Sequence, residues 1–291
     1  MKRREFMKVA GLGAVALGLR PDMGVAAEEE KAGRPNIILM MTDDQGWSDV
    51  SYNEKGALAK GAFKTPELDA MAAAGLRFDR FYAAAPVCSP TRASCLTGRH
   101  PYRYGVTTYN LPLKLQEKTI AQALKAAGYK TGHFGKWHLN AAKDRSKPIA
   151  KDDPLNPGVF GFETWFSAHN TFDLDSTFSR GGTAVATKGD GSDVIVAEAL
   201  TWIDSLRSKG DGQPFFALIW FSGPHVPYDP LPADLQAAGG NGKWGELVGV
   251  DRAVGTLRSG LRQRGLADNT MLWFNSDNGP TSGSKPLKEQ K

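Results

Sequence analysis

Five small groups of residues in this chain have types and spacings suited to chemistry on an anion. In Cys88-Ser89-Pro90-Thr91-Arg92 a thiol lies two residues before a proline and four before an arginine. Proline suits a first helical turn, where its missing N–H would be unpaired in any case. Orphan backbone N–H groups and an arginine at such a start make an anion site, although an isolated C-x-P-x-R also fits a structural cysteine in a helix cap. Asp43-Asp44 and Asp277-Asn278 offer hard oxygen donors of the kind that Ca²⁺ or Mg²⁺ prefers. Each pair alone equally fits a turn or cap. With Arg92, the residues Lys136, His138 and His225 could surround a tetrahedral anion. The cations would neutralise its oxygens and an imidazole would protonate a leaving oxygen. Taken singly, such residues are commonly structural or solvated.

What gathers them is the order of elements. Asn36–Met41 is an unbroken apolar run that ends at Thr42-Asp43-Asp44, the pattern of a central parallel strand. Thr65-Pro66-Glu67 opens a helix with Thr65 as cap and Gly75 as stop, and Thr119–Ala127 repeats the device with Gly128. A strand at Lys130–Phe134 delivers Gly135-Lys136-Trp137-His138. Helical stripes follow, Val196, Leu200, Ile203, Leu206 and then Leu247, Val250, Val254, Leu257, Leu261, before strands at Phe215–Phe221 and Thr270–Asn275. Alternating strands and helices predict an α/β fold with a mainly parallel central sheet sandwiched by helices. The polar groups all follow strands, so they converge on the edge where such sheets bind ligands. Residues 139–190, rich in Pro, Gly, Asp and Lys, show no clear periodicity and are expected to form an irregular insert beside the site.

The segments N-I-I-L-M-M-T-D-D-Q-G, C-S-P-T-R-A-S-C-L-T-G-R, G-K-W-H, P-H-V-P and S-D-N-G-P occur in the order and approximate spacing of arylsulfatase-type sulfatases. From about Pro35 to the last residue the chain resembles this family of formylglycine-dependent, type I enzymes, which belongs to the alkaline phosphatase superfamily. The resemblance extends to N-acetylgalactosamine-6-sulfatase-like members. It implies that Cys88 is converted to formylglycine by a formylglycine-generating enzyme and that its hydrate is the nucleophile. It also implies one Ca²⁺, ahead of Mg²⁺, on Asp43, Asp44, Asp277, Asn278 and the modified Cys88. Arg92 and Lys136 would hold the formylglycine and the sulfate, His138 would act on a hydrate hydroxyl, and His225 would assist the leaving alcohol. The family's further sulfate-contacting lysine lies in a segment like P-L-R-G-G-K-G. Here Pro286-Leu287-Lys288-Glu289-Gln290-Lys291 matches in spacing without either glycine, so Lys291 is the best positional match and Lys288 the second. On this reading residues 35–291 are the N-terminal part of a sulfatase catalytic domain, with the small C-terminal subdomain missing.

The chain has 291 residues, 41% hydrophobic and 23% charged, with a net charge of +5. Residues 1–27 hold five basic and two acidic residues, so the remainder is nearly balanced and no Lys/Arg stripe argues for nucleic acid. Arg3-Arg4-Glu5-Phe6-Met7-Lys8 precedes the weakly apolar run Val9–Leu19, which is too short to span a bilayer, and Val25-Ala26-Ala27 offers small residues for cleavage. R-R-x-F-x-K resembles a twin-arginine signal, which implies recognition by the twin-arginine translocase and export to the periplasm or the exterior. Residues 28–34 then form a linker, and no later segment predicts stable membrane insertion. Cys88 and Cys95 would lie about 10 Å apart along one helix, beyond disulfide reach.

The sequence thus predicts a hydrolase of sulfated small molecules or glycans. Two alternatives stand beside it: a phosphate or phosphonate monoester hydrolase of the same superfamily, and an inactive remnant that binds sulfated glycans.

Overall fold

The computed structural model describes residues 33–53, 63–145, 147–208, 210 and 212–280. The export signal at 1–27, most of the linker at 28–34, and Lys288 and Lys291 lie outside them. The unit Arg34–Lys291 carries every described element. In chain order these are β1 (Asn36–Thr42), α1 (Pro66–Ala74), α2 (Cys88–Thr97), α3 (Pro101–Tyr104), α4 (Ile120–Ala126), β2 (Lys130–Lys136), β3 (Thr164–Ala168), β4 (Thr177–Arg180), β5 (Thr183–Ala186), α5 (Gly191–Arg207), β6 (Phe215–Trp220), α6 (Pro232–Ala237), α7 (Gly242–Gln263) and β7 (Thr270–Ser276).

Seven strands form one sheet in the order β5-β4-β3-β2-β6-β1-β7. β3, β2, β6, β1 and β7 run parallel, and β4 and β5 join at one end through antiparallel pairings. The period-2 alternation of a strand explains the two cores. Ile38 and Met40 of β1, with Ala217 and Ile219 of β6, face α5 and α7 side chains such as Ile195, Val196, Val250 and Val254. Met41, Phe216, Leu218 and Trp220 enter the opposite core with Ala93 and Leu96 of α2 and Ala121 of α4. Strands covered on both faces have no polar side, which is why β6 reads Phe-Phe-Ala-Leu-Ile-Trp and is buried throughout. Each such large side chain contributes about 1.5–3 kcal/mol on burial.

The expected irregular insert at 139–190 is corrected by the structure. It holds β3, β4 and β5, and β3 is a parallel member of the central sheet, paired with β2 from Gly132↔Thr164 to Lys136↔Ala168. Strands of four or five residues are too short to build a readable alternation against the surrounding Pro and Gly.

A second correction concerns α1. Thr65 does not cap it: its hydroxyl pairs with Ser51 and Asp69, and the cap is supplied from α7, where Asp251 accepts from the N–H groups of Glu67 and Leu68. Gly75 ends this helix in extended backbone. The expected cap at Thr119 is present as a full capping box with Gln122.

Candidate active site

The parallel strands put their carboxyl ends on one edge, and the site is built there. Asp43 and Asp44 follow β1, Lys136 ends β2, His138 lies two residues beyond it, His225 follows β6, and Asp277 and Asn278 follow β7. Cys88 begins α2 with Val87 as N-cap, so Arg92 lies one turn further along the same helix. Gly135, within β2, lets the strand pass close against β6 just before Lys136. It has φ +104°, and a Cβ there would lie 2.0 Å from the Trp220 carbonyl oxygen.

Arg92, Lys136, Asp43 and Asp277 are wholly buried, and they pair with one another. The Arg92 guanidinium donates to Asp277 Oδ2 from Nε at 3.1 Å and from Nη2 at 2.8 Å, and to Asp43 Oδ2 from Nη2 at 3.2 Å. Lys136 Nζ donates to the same Asp43 oxygen and lies 3.8 Å from Cys88 Sγ. The Cys88 thiol donates to Asp43 Oδ1 at 3.1 Å. Trp220 closes the base of the site, its ring 4.9 Å from the Arg92 guanidinium carbon, a cation–π contact.

Asp44 has φ +58°, a left-handed conformation that aspartate tolerates. Its N–H donates to Asp277 Oδ1 at 3.2 Å, and Asn278 Nδ2 donates to its Oδ1 at 2.6 Å. His225 Nε2 is 3.7 Å from Asp44 Oδ2, on a loop with cis peptides before Pro224 and Pro227.

Ligand atoms of Asp43, Asp44, Asp277 and Cys88 all lie within 4.8 Å of one another. Three carboxylates against two fixed cations leave this buried group with surplus negative charge, and burial of unbalanced charge is costly. Asn278 Oδ1, in a residue only 4% exposed, has no hydrogen-bond partner. A lone acceptor beside crowded carboxylates fits an oxygen-seeking cation such as Ca²⁺. A second set, Asp43, Cys88 and His225, shares two members with the first, so the two describe one centre.

The same crowding sets the proton affinities. Burial would raise Asp43, but Lys136, Arg92 and His225 outweigh it and hold the carboxyl well below the usual range. Asp277 is raised to about 7, by burial first and then by the neighbouring Asp43 charge. Burial, with Asp277 and Asp43, pushes the Cys88 thiol far up despite Lys136 and Arg92. An unmodified Cys88 is therefore a thiol, not the reactive thiolate that a helix start beside two cations would otherwise favour. Burial also lowers His138, with Lys136 and Arg92 adding to the effect, so its ring is neutral.

All the expected site residues that lie among the described ones converge here; Lys291 does not lie among them. A concavity of about 1060 Å³ lies elsewhere, against α1 and α7, and none of the site residues lines it. Three contributors were not foreseen. Ser89 donates to the His138 carbonyl at 2.9 Å, Trp220 underlies Arg92, and Asn110 bonds the His138 ring. The one sequence signal was Asn110 itself, an asparagine just before Leu111-Pro112, of the type that adopts positive φ, here +60°.

Fold and site together define an α/β protein whose switch-edge centre, at the carboxyl ends of the parallel strands, sets candidate cation ligands beside two buried cationic side chains. The chain belongs to the sulfatase family: the sulfatase family model matches residues 35–291. It is 32% identical to arylsulfatase G of Canis lupus familiaris over 318 aligned positions, covering 94% of this chain and 56% of that protein. It is 31% identical to N-acetylgalactosamine-6-sulfatase of the same species, covering 87% of this chain and 51% of that protein. Among solved structures, Ps i-CgsB in complex with k-i-k-neocarrahexaose superposes with a TM-score of 0.75 at 26% identity, covering 88% of this chain and 61% of that one. The chain therefore spans about half the length of the curated relatives it matches.

Proposed function

We propose that this protein takes part in the hydrolysis of sulfate esters, on sulfated sugars or aryl sulfates, through a formylglycine made from Cys88 and a bound Ca²⁺. The observation that supports this most is the meeting of Cys88, Arg92 and Lys136 on the one carboxylate of Asp43, beside the unpartnered Asn278 Oδ1. Asp43, Asp44, Asp277, Asn278 and the modified residue 88 would hold the cation, which would ease ionisation of a hydroxyl and spread charge. The formylglycine hydrate supplies two hydroxyls on one carbon, one to attack sulfur and the other to re-form the aldehyde as sulfate leaves.

The chain's own residues perform the remaining work. Arg92 and Lys136 are fixed before substrate arrives, so they counter the sulfuryl charge without reorganising. His138, neutral and buried, accepts a proton from a hydrate hydroxyl. His225, on the more open side at 17% side-chain exposure, gives a proton to the departing alcohol. Lys291 is assigned by spacing alone as a further sulfate contact.

The substrate's sugar character rests on the relative solved with k-i-k-neocarrahexaose. Export rests on the twin-arginine-like segment at residues 3–8, with the translocase as partner; among the described residues no helix is long and apolar enough to cross a membrane. Conversion of Cys88 calls for a formylglycine-generating enzyme in the same host.

The test has two parts. Protein co-produced with a maturation enzyme is digested, and the Cys88 peptide is weighed for an aldehyde in place of the thiol. The same preparation is then assayed on an aryl sulfate and on the matching phosphate. Sulfate turnover that needs Cys88 is expected; turnover of the phosphate ester alone would move the assignment to the phosphomonoesterase branch of the superfamily.

A further inference from the structure

His138 and Asn110 face each other across the first turn of α2, and both have left-handed backbone, at φ +55° and +60°. Such conformations cost a non-glycine residue about 1–2 kcal/mol and persist only where the surroundings enforce them. Ser89, next to Cys88, supplies part of that enforcement. Its hydroxyl accepts from the Asn110 N–H at 3.2 Å and donates to the His138 carbonyl at 2.9 Å. The ring closes through the side chains, where His138 Nε2 lies 2.7 Å from Asn110 Oδ1.

The direction of this last bond follows from a third residue. Arg145 donates from its guanidinium to the same Asn110 atom. A guanidinium has only donors, so that atom must be the amide oxygen and not its nitrogen. An amide oxygen only accepts, so His138 Nε2 must carry the hydrogen. A neutral imidazole with Nε2–H has its lone pair on Nδ1. His138 Nδ1 is buried and has no hydrogen-bond partner.

We propose that Asn110 is a positioning residue that locks His138 in the Nε2–H tautomer and so leaves Nδ1 as the nitrogen able to accept a proton. Arg145 acts through Asn110, fixing which way its amide points. The assignment rests on the reading of His138 as the proton acceptor of the proposed sulfatase reaction. The proton balance is simple. When Nδ1 takes a hydroxyl proton the ring becomes an imidazolium, and its Nε2–H stays bonded to Asn110 throughout.

The test uses the full chain, labelled with ¹⁵N-histidine, and reads the ring nitrogens by long-range ¹H–¹⁵N correlation. In the unsubstituted protein His138 is expected to show a protonated Nε2 and an unprotonated Nδ1. Asn110→Leu should replace that pattern with the Nδ1–H form or an exchanging mixture. Asn110→Asp, whose carboxylate still accepts, should retain it. In matured enzyme, Asn110→Leu should lower kcat on an aryl sulfate by about 100-fold with KM within about twofold, and Asn110→Asp should restore most of the loss. Thermal melting verifies that both variants are folded, and an unfolded Asn110→Leu leaves the unsubstituted protein's own ring pattern to decide. An Nδ1–H form in the unsubstituted protein, or an unchanged pattern in folded Asn110→Leu, overturns the proposal. A pattern that shifts as expected in a chain without sulfatase turnover supports the tautomer lock and instead counts against the sulfatase reading.

Discussion

Among the described residues two acid-rich clusters are buried, and they differ in how their carboxylates are used. At the switch edge, Asp43, Asp44 and Asp277 turn their oxygens toward one another and toward Cys88, within 4.8 Å. Around the start of α5 and along α7, Asp190, Asp234 and Glu246 are also buried, at about 5–6% exposure. There the carboxylates turn to backbone N–H groups and to one shared arginine, Arg252, which pairs with both Asp190 and Asp234. Asp190 caps α5 through the N–H groups of Ser192 and Asp193, Glu246 accepts from the Asp229 N–H, and Asp234 takes Arg252 Nη1 at 2.5 Å. No metal-type grouping forms there among the described residues. Convergence of acceptors, not the number of acids, separates a cation cage from a structural network.

The comparison is easiest to break at Cys88. Cys88→Ala should lower sulfate-ester turnover by about a thousandfold or more in matured protein, measured on an aryl sulfate, because it removes the proposed nucleophile. Next in size is Asn278→Ala. It removes an acceptor that has no internal partner, together with the amide that donates to Asp44, and should weaken Ca²⁺ binding by about tenfold or more in calorimetric titration. The Ca²⁺-dependent rise in melting temperature should shrink accordingly.

The second cluster answers to pH instead. Burial first, then Asp173, Asp190 and Asp229, raises Glu246 to about 8, and burial raises Asp173 to about 6. A carboxyl whose folded pKa is raised keeps its proton longer in the native state, so its contribution to stability is intact at low pH. That contribution is lost as pH climbs from the unfolded value near 4.5 through about 8. Glu246→Gln should therefore flatten stability against pH across that window by about 2 kcal/mol in urea titrations, and leave Ca²⁺ affinity unchanged. A change in Ca²⁺ affinity would dissolve the distinction between the clusters. The smallest effect belongs to Asp251. Asp251→Ala strips the cap from α1 and should cost about 1 kcal/mol by denaturant unfolding, with no effect at the switch edge.

Much of the site was legible because its residues sit at strand ends, and strand ends are marked by where an apolar run stops. Asp43 after Met41-Thr42 and Asp277 after Asn275-Ser276 needed only that rule. Arg92 was readable from its place one turn beyond Cys88. Asn110 was not, because it stands in an irregular stretch between α3 and α4 and reaches His138 only through the fold. The α1 cap shows the same boundary. Thr65-Pro66 reads locally as a cap and first turn, yet Asp251, distant in sequence, displaces Thr65 in that role. β3 escaped because five residues, Thr164–Ala168, leave too short a pattern to separate from the loops around them.

β7 has β1 as its only partner among the described strands, so one row of its backbone groups is unpaired there. Two of the candidate cation ligands, Asp277 and Asn278, follow directly from that outermost strand, while Asp43 and Asp44 follow the better-flanked β1. Outer strands open more readily than central ones, and their opening is a local event with its own free energy. Fraying of β7 would thus withdraw two of the five candidate ligands and two of Arg92's three bonds to carboxylates. By mass action the reverse also holds, and a bound ion would act as a rivet on the sheet's margin. Slower amide hydrogen exchange along Thr270–Ser276 in the presence of Ca²⁺, with β6 unaffected, would be its signature.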